Sequence, residues 1–298
     1  MDVLRTPDER FESLPDFDFE PHYLEIRDGL RVHYLDEGPR DADPVLLFHG
    51  EPSWSYLYRK MVPVLTAAGH RCIVPDLVGF GRSDKPASMG DYSYQSHVDW
   101  MSDVVFGALD LRSATLFGQD WGGLVGLRLL CAEPDRFARA VVANTSLPTG
   151  EGTPTEAFLQ WQTFAREAEE FPVGRIISGG CVNRLEDEVI AAYDAPFPDD
   201  RYKAGARIFP ALVPTSPQDP AHDVNVAAWQ TLRAFDRPFL CAFSDGDPIT
   251  KGGDRPFLSQ VAGASGQPHI TIEGAGHFLQ EDKGVELAKV IVEFLGAT

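Results

Sequence analysis

Between Leu116 and Leu124 the chain reads Leu-Phe-Gly-Gln-Asp-Trp-Gly-Gly-Leu, an apolar strand that runs into glycines and emerges as an apolar helix. Few folds accommodate that order. A strand that turns directly into a helix must be buried along with the helix, and glycines at Gly118 and Gly122 let the two approach closely. The turn leaves one side chain, Asp120, standing above the sheet. The stretch therefore asks for a parallel sheet covered by helices, with a carboxylate at its ligand-binding edge.

The rest of the chain supplies such a sheet. Tyr23 to Ile26 and Leu30 to Tyr34 alternate around Arg27-Asp28-Gly29 and predict a hairpin. Val45-Leu46-Leu47-Phe48 is continuously apolar, as a strand buried on both faces must be, and stops at His49-Gly50-Glu51-Pro52. A helix is predicted from Ser55 to Ala68, a buried strand at Cys72-Ile73-Val74, a helix from Tyr94 to Leu109 and a strand from Ala140 to Ala143. Strand and helix in alternation imply right-handed crossovers and a mostly parallel sheet.

Past Asn144 the pattern changes. Helical patches at Thr155 to Glu170, Leu185 to Ala192 and Arg201 to Phe209 are joined by Pro-rich turns, with few strand candidates. The alternation resumes with a strand from Pro238 to Phe243, a helix from Arg255 to Gln260, a strand from His269 to Ile272 and a helix from Val285 to Phe294. Residues 1–145 and 225–298 are thus expected to form one α/β core domain, and 146–224 an inserted helical subdomain.

Composition narrows the possible ligands. A net charge of −19 repels phosphate, which argues against nucleic acid and anionic membranes. Cys72, Cys131, Cys181 and Cys241 lie far apart, with neither zinc-site spacing nor the density of a disulfide framework. No cofactor and no metal are expected. No secretory signal or membrane span is visible, so a soluble cytoplasmic protein is the expectation, and no long apolar helix asks for obligate assembly, so a monomer is expected.

Two later residues give the carboxylate of Asp120 a context. His277 lies in Gly274-Ala275-Gly276-His277-Phe278, just past the last strand, and Asp247 lies in Ser244-Asp245-Gly246-Asp247-Pro248, past the strand before it. Nucleophile, acid, then histidine is the chain order of α/β hydrolases. Either aspartate of the second loop could be a turn former; Asp247, further from the strand, is chosen to orient His277, with Asp245 as the alternative. His269, inside the predicted last strand, reads as a packed or edge residue. The amide of Glu51, after the first parallel strand, and that of Trp121, after the nucleophile, occupy the oxyanion-hole positions. The Glu51 side chain itself reads either as part of the site or as an exposed loop carboxylate.

An aspartate in this turn changes the chemistry. It needs no base to become a nucleophile, and it suits displacement at a saturated carbon bearing a leaving group, forming an alkyl ester. His277 would then activate water against that ester. His49-Gly50-Glu51-Pro52, the run from Asp76-Leu77-Val78-Gly79-Phe80-Gly81 to Arg82-Ser83-Asp84-Lys85-Pro86, Gly118-Gln119-Asp120-Trp121-Gly122-Gly123 and Gly276-His277-Phe278 together resemble the haloalkane dehalogenases. The resemblance covers nearly the whole chain and implies an α/β-hydrolase fold whose inserted subdomain is a helical cap. An acid at Asp247 is similar to the subfamily that holds its halide between two tryptophans; another subfamily carries the acid where this chain has Asn144.

A leaving halide in an apolar pocket needs donors, and an indole N–H on an apolar body suits it. Trp121 is the first candidate. Trp161, in the cap, is the second, with helix-face packing as its alternative, while Trp54, Trp100 and Trp229 read as structural. The implied partners are a small neutral haloalkane, water and the halide product. An epoxide hydrolase remains a rival through cap tyrosines Tyr193 and Tyr202, although Gln119 replaces the histidine that precedes the nucleophile in that family. Fluoroacetate dehalogenases place Arg after the nucleophile where this chain has Trp121, so a neutral substrate is expected. A noncatalytic binder of a small apolar ligand is the third reading.

Overall fold

A computed structural model describes residues 1–298. In chain order its strands are β1 (Val3–Leu4), β2 (His22–Glu25), β3 (Arg31–Glu37), β4 (Pro44–Phe48), β5 (Arg71–Pro75), β6 (Lys85–Pro86), β7 (Ala114–Gln119), β8 (Phe137–Ala143), β9 (Phe239–Ser244) and β10 (Ile270–Ile272). Eight of them form one sheet in the order β10-β9-β8-β7-β4-β5-β3-β2. It is parallel from β10 to β5, and β3 and β2 close it antiparallel. β1 and β6 pair separately.

β4 and β7 lie side by side at the centre, and every residue of both is buried. Their unbroken apolar runs follow from that position, because a strand covered on both faces has no side open to water. The predicted hairpin forms between β2 and β3, with Tyr23 opposite His33.

The helices are α1 (Val62–Ala67), α2 (Tyr94–Ser102), α3 (Trp121–Ala132), α4 (Glu156–Glu167), α5 (Val173–Gly179), α6 (Asp187–Asp194), α7 (Ala204–Leu212), α8 (His222–Ala234), α9 (Asp254–Gln260) and α10 (Leu279–Ala297). Four boundaries differ from expectation for identifiable reasons. Ser55 to Ala68 splits into a 3₁₀ turn (Ser55–Tyr58) and α1, because Pro63 fits only a helix's first turn. The helix expected to reach Leu109 loosens after α2 into a π-helical turn over Asp103–Ala108. α10 starts ahead of Val285, with a kink at Lys283. α8 was not anticipated, and it runs through the expected domain boundary at 224/225 as one helix packed on α3, where Asn225 accepts from Arg128 at 2.9 Å.

α4 to α7 form the helical layer between β8 and β9. A buried ionic cluster holds it to the core: Tyr193 of α6 donates its hydroxyl to Glu281 of α10, and Arg59 grips the same carboxylate with both terminal nitrogens. All three residues are buried. No helix is long and apolar enough to cross a membrane.

Because β4, β7, β8 and β9 run parallel, their carboxyl ends meet along one edge. The loops there carry Glu51, Asp120, Asn144 and Asp247, and the loop after β10 brings His277 to them.

Candidate active site

Asp120 occupies the turn between β7 and α3 with φ 51° and ψ −128°, a backbone conformation that residues other than glycine rarely adopt. Its surroundings hold it there. The Asp120 N–H donates to Asn144 O at 3.0 Å, and the Thr145 hydroxyl donates to Asp120 O at 2.7 Å. The flanking glycines are sterically required: a Cβ on Gly122 would collide with the Phe48 carbonyl, and one on Gly50 with the Asp120 side chain itself. The close approach of β4 to the turn is thus written in two residues that lack side chains.

That approach carries the Glu51 backbone N–H to Asp120 Oδ1 at 2.8 Å. The second expected amide, that of Trp121, sits at the start of α3, where helix N–H groups have no intrahelical partner. It is not hydrogen-bonded to the carboxylate.

The other carboxylate oxygen, Oδ2, lies 3.5 Å from His277 Nε2, and on the far side of the ring Nδ1 lies 3.0 Å from Asp247 Oδ2. Burial alone would lower the pKa of His277, but the charge of Asp247 and the contacts with both carboxylates outweigh it and push the imidazole up to about 10. Asp247 is 2% exposed. Burial favours its neutral form, yet the imidazolium, the Thr250 hydroxyl and the Ile249 amide hold its pKa below the usual carboxylate value. Asp245 does a different job: exposed at the surface, it accepts from the Gly274 and Ala275 amides and shapes the loop that presents His277. The choice between these aspartates is resolved by which one reaches the ring.

Two contributors were not anticipated in these roles, and a third had been left open. The Asn144 side-chain amide donates to the carbonyls of Gly276 and His277. Gln119, fully buried, donates to His277 O at 3.2 Å and sets its amide 3.3 Å from Nε2. The Glu51 side chain is not an exposed loop carboxylate: it is 4% exposed and faces the same cavity. Only position after a strand's carboxyl end could have flagged them, and that signal is shared by every loop on this edge.

The cavity has a volume of about 1030 Å³ and lies between the helical layer and the sheet edge, with Glu51, Asp120, Trp121, Trp161 and His277 in its wall. Leu124, Leu147, Phe158, Ile176, Val213 and Phe278 make much of the rest apolar. The five tryptophans separate clearly here. Trp100 donates its N–H to Asp28 and Trp229 to Leu147 O, while the Trp54 nitrogen is sealed in the core. Trp121 and Trp161 remain; both lie on the cavity, as Trp229 also does, neither gives its N–H to a backbone acceptor, and the Trp161 indole faces the Glu51 carboxyl. Trp121 is wedged between Tyr94 and Phe209, and Trp161 lies over Phe164 and Phe171. The tyrosines that kept epoxide opening in play are elsewhere: Tyr193 is bound to Glu281, and neither it nor Tyr202 lines the cavity. His269 ties loops together, accepting from the Cys241 amide at 3.1 Å and meeting Ala264 O at 2.7 Å.

Comparison with known proteins shows the family. Residues 43–284 match the family described as alpha/beta hydrolase fold. A haloalkane dehalogenase of Psychrobacter cryohalolentis is 59% identical over 99% of this chain and 98% of its own, and one of Mycolicibacterium paratuberculosis is 54% identical over the same shares. The chain belongs to the haloalkane dehalogenases. The structure of haloalkane dehalogenase DpaA from Paraglaciecola agarilytica, described as tetrameric, superposes with a TM-score of 0.92 at 37% identity, covering 100% of this chain and 99% of that one.

Proposed function

We propose that this enzyme hydrolyses the carbon–halogen bond of neutral haloalkanes through an alkyl ester on Asp120. One observation carries the reading: a carboxylate held in a strained turn, with one oxygen on the Glu51 amide and the other against His277 Nε2. An Asp120 oxygen attacks the halogen-bearing carbon, the C–O bond forms as the C–X bond breaks, and the halide leaves with the bonding pair. The indoles of Trp121 and Trp161 receive it. Neutral His277 then takes a proton from water as the water oxygen attacks the Asp120 carbonyl carbon. Asp247 stabilises the imidazolium. The oxyanion falls to the Glu51 and Trp121 amides, the alcohol departs with the proton from His277, and Asp120 returns as carboxylate. The net products are alcohol, halide and a proton.

With Trp121 following the nucleophile, no cation stands there to pair with a substrate carboxylate, which supports neutral substrates. The acid after β9 and the two indoles support membership of the two-tryptophan subfamily, with the layer of α4 to α7 as the cap. Its four cysteines are unpaired, which fits a reducing compartment. The test is halide release from 1,2-dibromoethane and 1-bromobutane beside diol formation from styrene oxide. Halide release abolished by Asp120→Ala is expected; epoxide opening without halide release would overturn the reading.

A further inference from the structure

The Glu51 carboxyl is an anomaly in the wall of the cavity. Glu51 is 96% withdrawn from solvent, being 4% exposed, and its Oε1 has no hydrogen-bond partner. Its own amide binds Asp120 Oδ1, so the side chain stands next to a second carboxylate. The groups facing it are few: Asp120 from the turn after β7, His277 from the loop after β10, and the Trp161 indole from α4. No lysine or arginine pairs with it. A carboxylate in that place would be both desolvated and repelled by Asp120, and these two causes raise its pKa well above the ordinary value, with His277 and Trp161 opposing less strongly.

We propose that Glu51 is a third donor of the halide site, gated by its own proton: as the neutral acid it turns its O–H to the leaving halide, and as the carboxylate it takes the Trp161 N–H and closes the site. A protonated carboxyl carries one donor and a deprotonated one none, so the same side chain changes from partner to competitor of the halide. Neutrality also matters to the chemistry. Displacement moves one negative charge from Asp120 to the halogen, and an ionised Glu51 would face that charge at both its origin and its destination.

The proposal rests on the halide reading above, and its test separates the two. Bromide is titrated into the wild-type enzyme and the Glu51→Gln, Glu51→Ala, Trp161→Phe and His277→Gln variants, following quenching of tryptophan fluorescence from about pH 6 to about pH 10. Wild type should bind saturably and lose affinity at alkaline pH by about tenfold or more. His277→Gln should keep that loss, which assigns it to Glu51. Glu51→Gln retains an N–H donor, so it should bind within about threefold of wild type at neutral pH and lose the alkaline step. Glu51→Ala should bind about tenfold more weakly, as the loss of one hydrogen bond to an anion implies. A protonated-carboxyl C=O band present in the infrared spectrum of wild type and absent from Glu51→Gln reads the neutral acid directly. Tenfold tighter binding by Glu51→Gln at neutral pH would mean that Glu51 is ionised and repels the halide, and it would overturn the proposal. So would wild-type affinity in Glu51→Ala, or an alkaline step unchanged in Glu51→Gln. Absence of saturable binding in wild type would overturn the halide site itself, and the role of Glu51 with it.

Discussion

The side-chain amide of Asn144 donates to the backbone carbonyl of His277 at 3.0 Å. The same amide reaches Gly276 O at 3.0 Å and Ser244 Oγ at 2.8 Å, and its oxygen accepts from the Ser244 amide at 2.9 Å. One fully buried residue after β8 thus ties the ends of β9 and of the histidine loop together. Asn144→Ala would take one donor from each of these carbonyls, leaving His277 O to Gln119 and Gly276 O to the Ser244 hydroxyl, and should cost about 1–3 kcal/mol in all. A ring displaced by about 1 Å can lose about 10²-fold in rate. Asn144→Asp should be worse than Asn144→Ala, because it sets an acceptor against acceptors. Thermal unfolding and halide release measure both effects; an Asn144→Asp enzyme as stable and active as wild type would refute the account.

Asn144 also marks where the sequence stops being legible. The apolar runs of β4 and β7 and the Gly-x-Asp-x-Gly turn sufficed for the sheet, because a twice-buried strand tolerates nothing else. The order Asp120, Asp247, His277 sufficed for the line of charge through the ring. What could not be read depends on distance. Asp245 and Asp247 flank the same glycine, and only the course of the loop decides which meets Nδ1. α5 follows Pro172 and fits against α6 only because Gly174 lacks a side chain beside Ile190, so a short helix of that kind exists by packing and carries no strong periodicity. Trp161 lies on an amphipathic helix like any core aromatic, so the sequence offers it as a candidate by its place in the inserted segment and leaves helix-face packing open until its position on the cavity is seen.

Alkylation and hydrolysis can be separated at His277. In the proposed mechanism the first step uses a carboxylate that needs no base, whereas the second needs a base for water. His277→Gln should therefore still release about one equivalent of halide and then stall. Intact-mass measurement should find the alkyl group on the protein, and peptide mapping should place it on Asp120. A modification at any other residue would remove Asp120 from its role.

The cap attachment predicts which tyrosine matters, and how. Tyr193 donates to Glu281, itself bound by Arg59 and by Lys60 at 2.8 Å. Tyr193→Phe removes one donor from a carboxylate that keeps two cations, so it should cost about 1–3 kcal/mol and leave the chemistry in place. Glu281→Gln leaves the buried Arg59 guanidinium without its counter-charge and should cost about 3–5 kcal/mol. Denaturant unfolding of the two variants orders these effects. Loss of halide release in a fully folded Tyr193→Phe enzyme would instead make Tyr193 part of the reaction.

Asp120 adds to the support that Asp247 gives the proton on His277, and in the proposed reaction alkylation removes the Asp120 charge. In the resting enzyme the imidazole is raised to about 10 with help from both carboxylates, so it is protonated at neutral pH and cannot yet act as a base. Once Asp120 is an ester, its share of that help is gone while that of Asp247 remains, and the pKa of His277 falls. The proton is released at the point where a base is required. Lower pH then keeps more of the ester form protonated and slows hydrolysis, while alkylation, which uses no base, is spared. Rapid-quench experiments should show a halide burst that grows relative to the steady-state rate as pH is lowered from about 9 to about 6. Asp247→Asn withdraws the remaining support, so it should shift this dependence to lower pH and cut the hydrolytic rate by about 10³-fold or more. A burst that shrinks on acidification would mean that proton transfer limits the first step, and the division of labour between Asp120 and His277 would have to be redrawn.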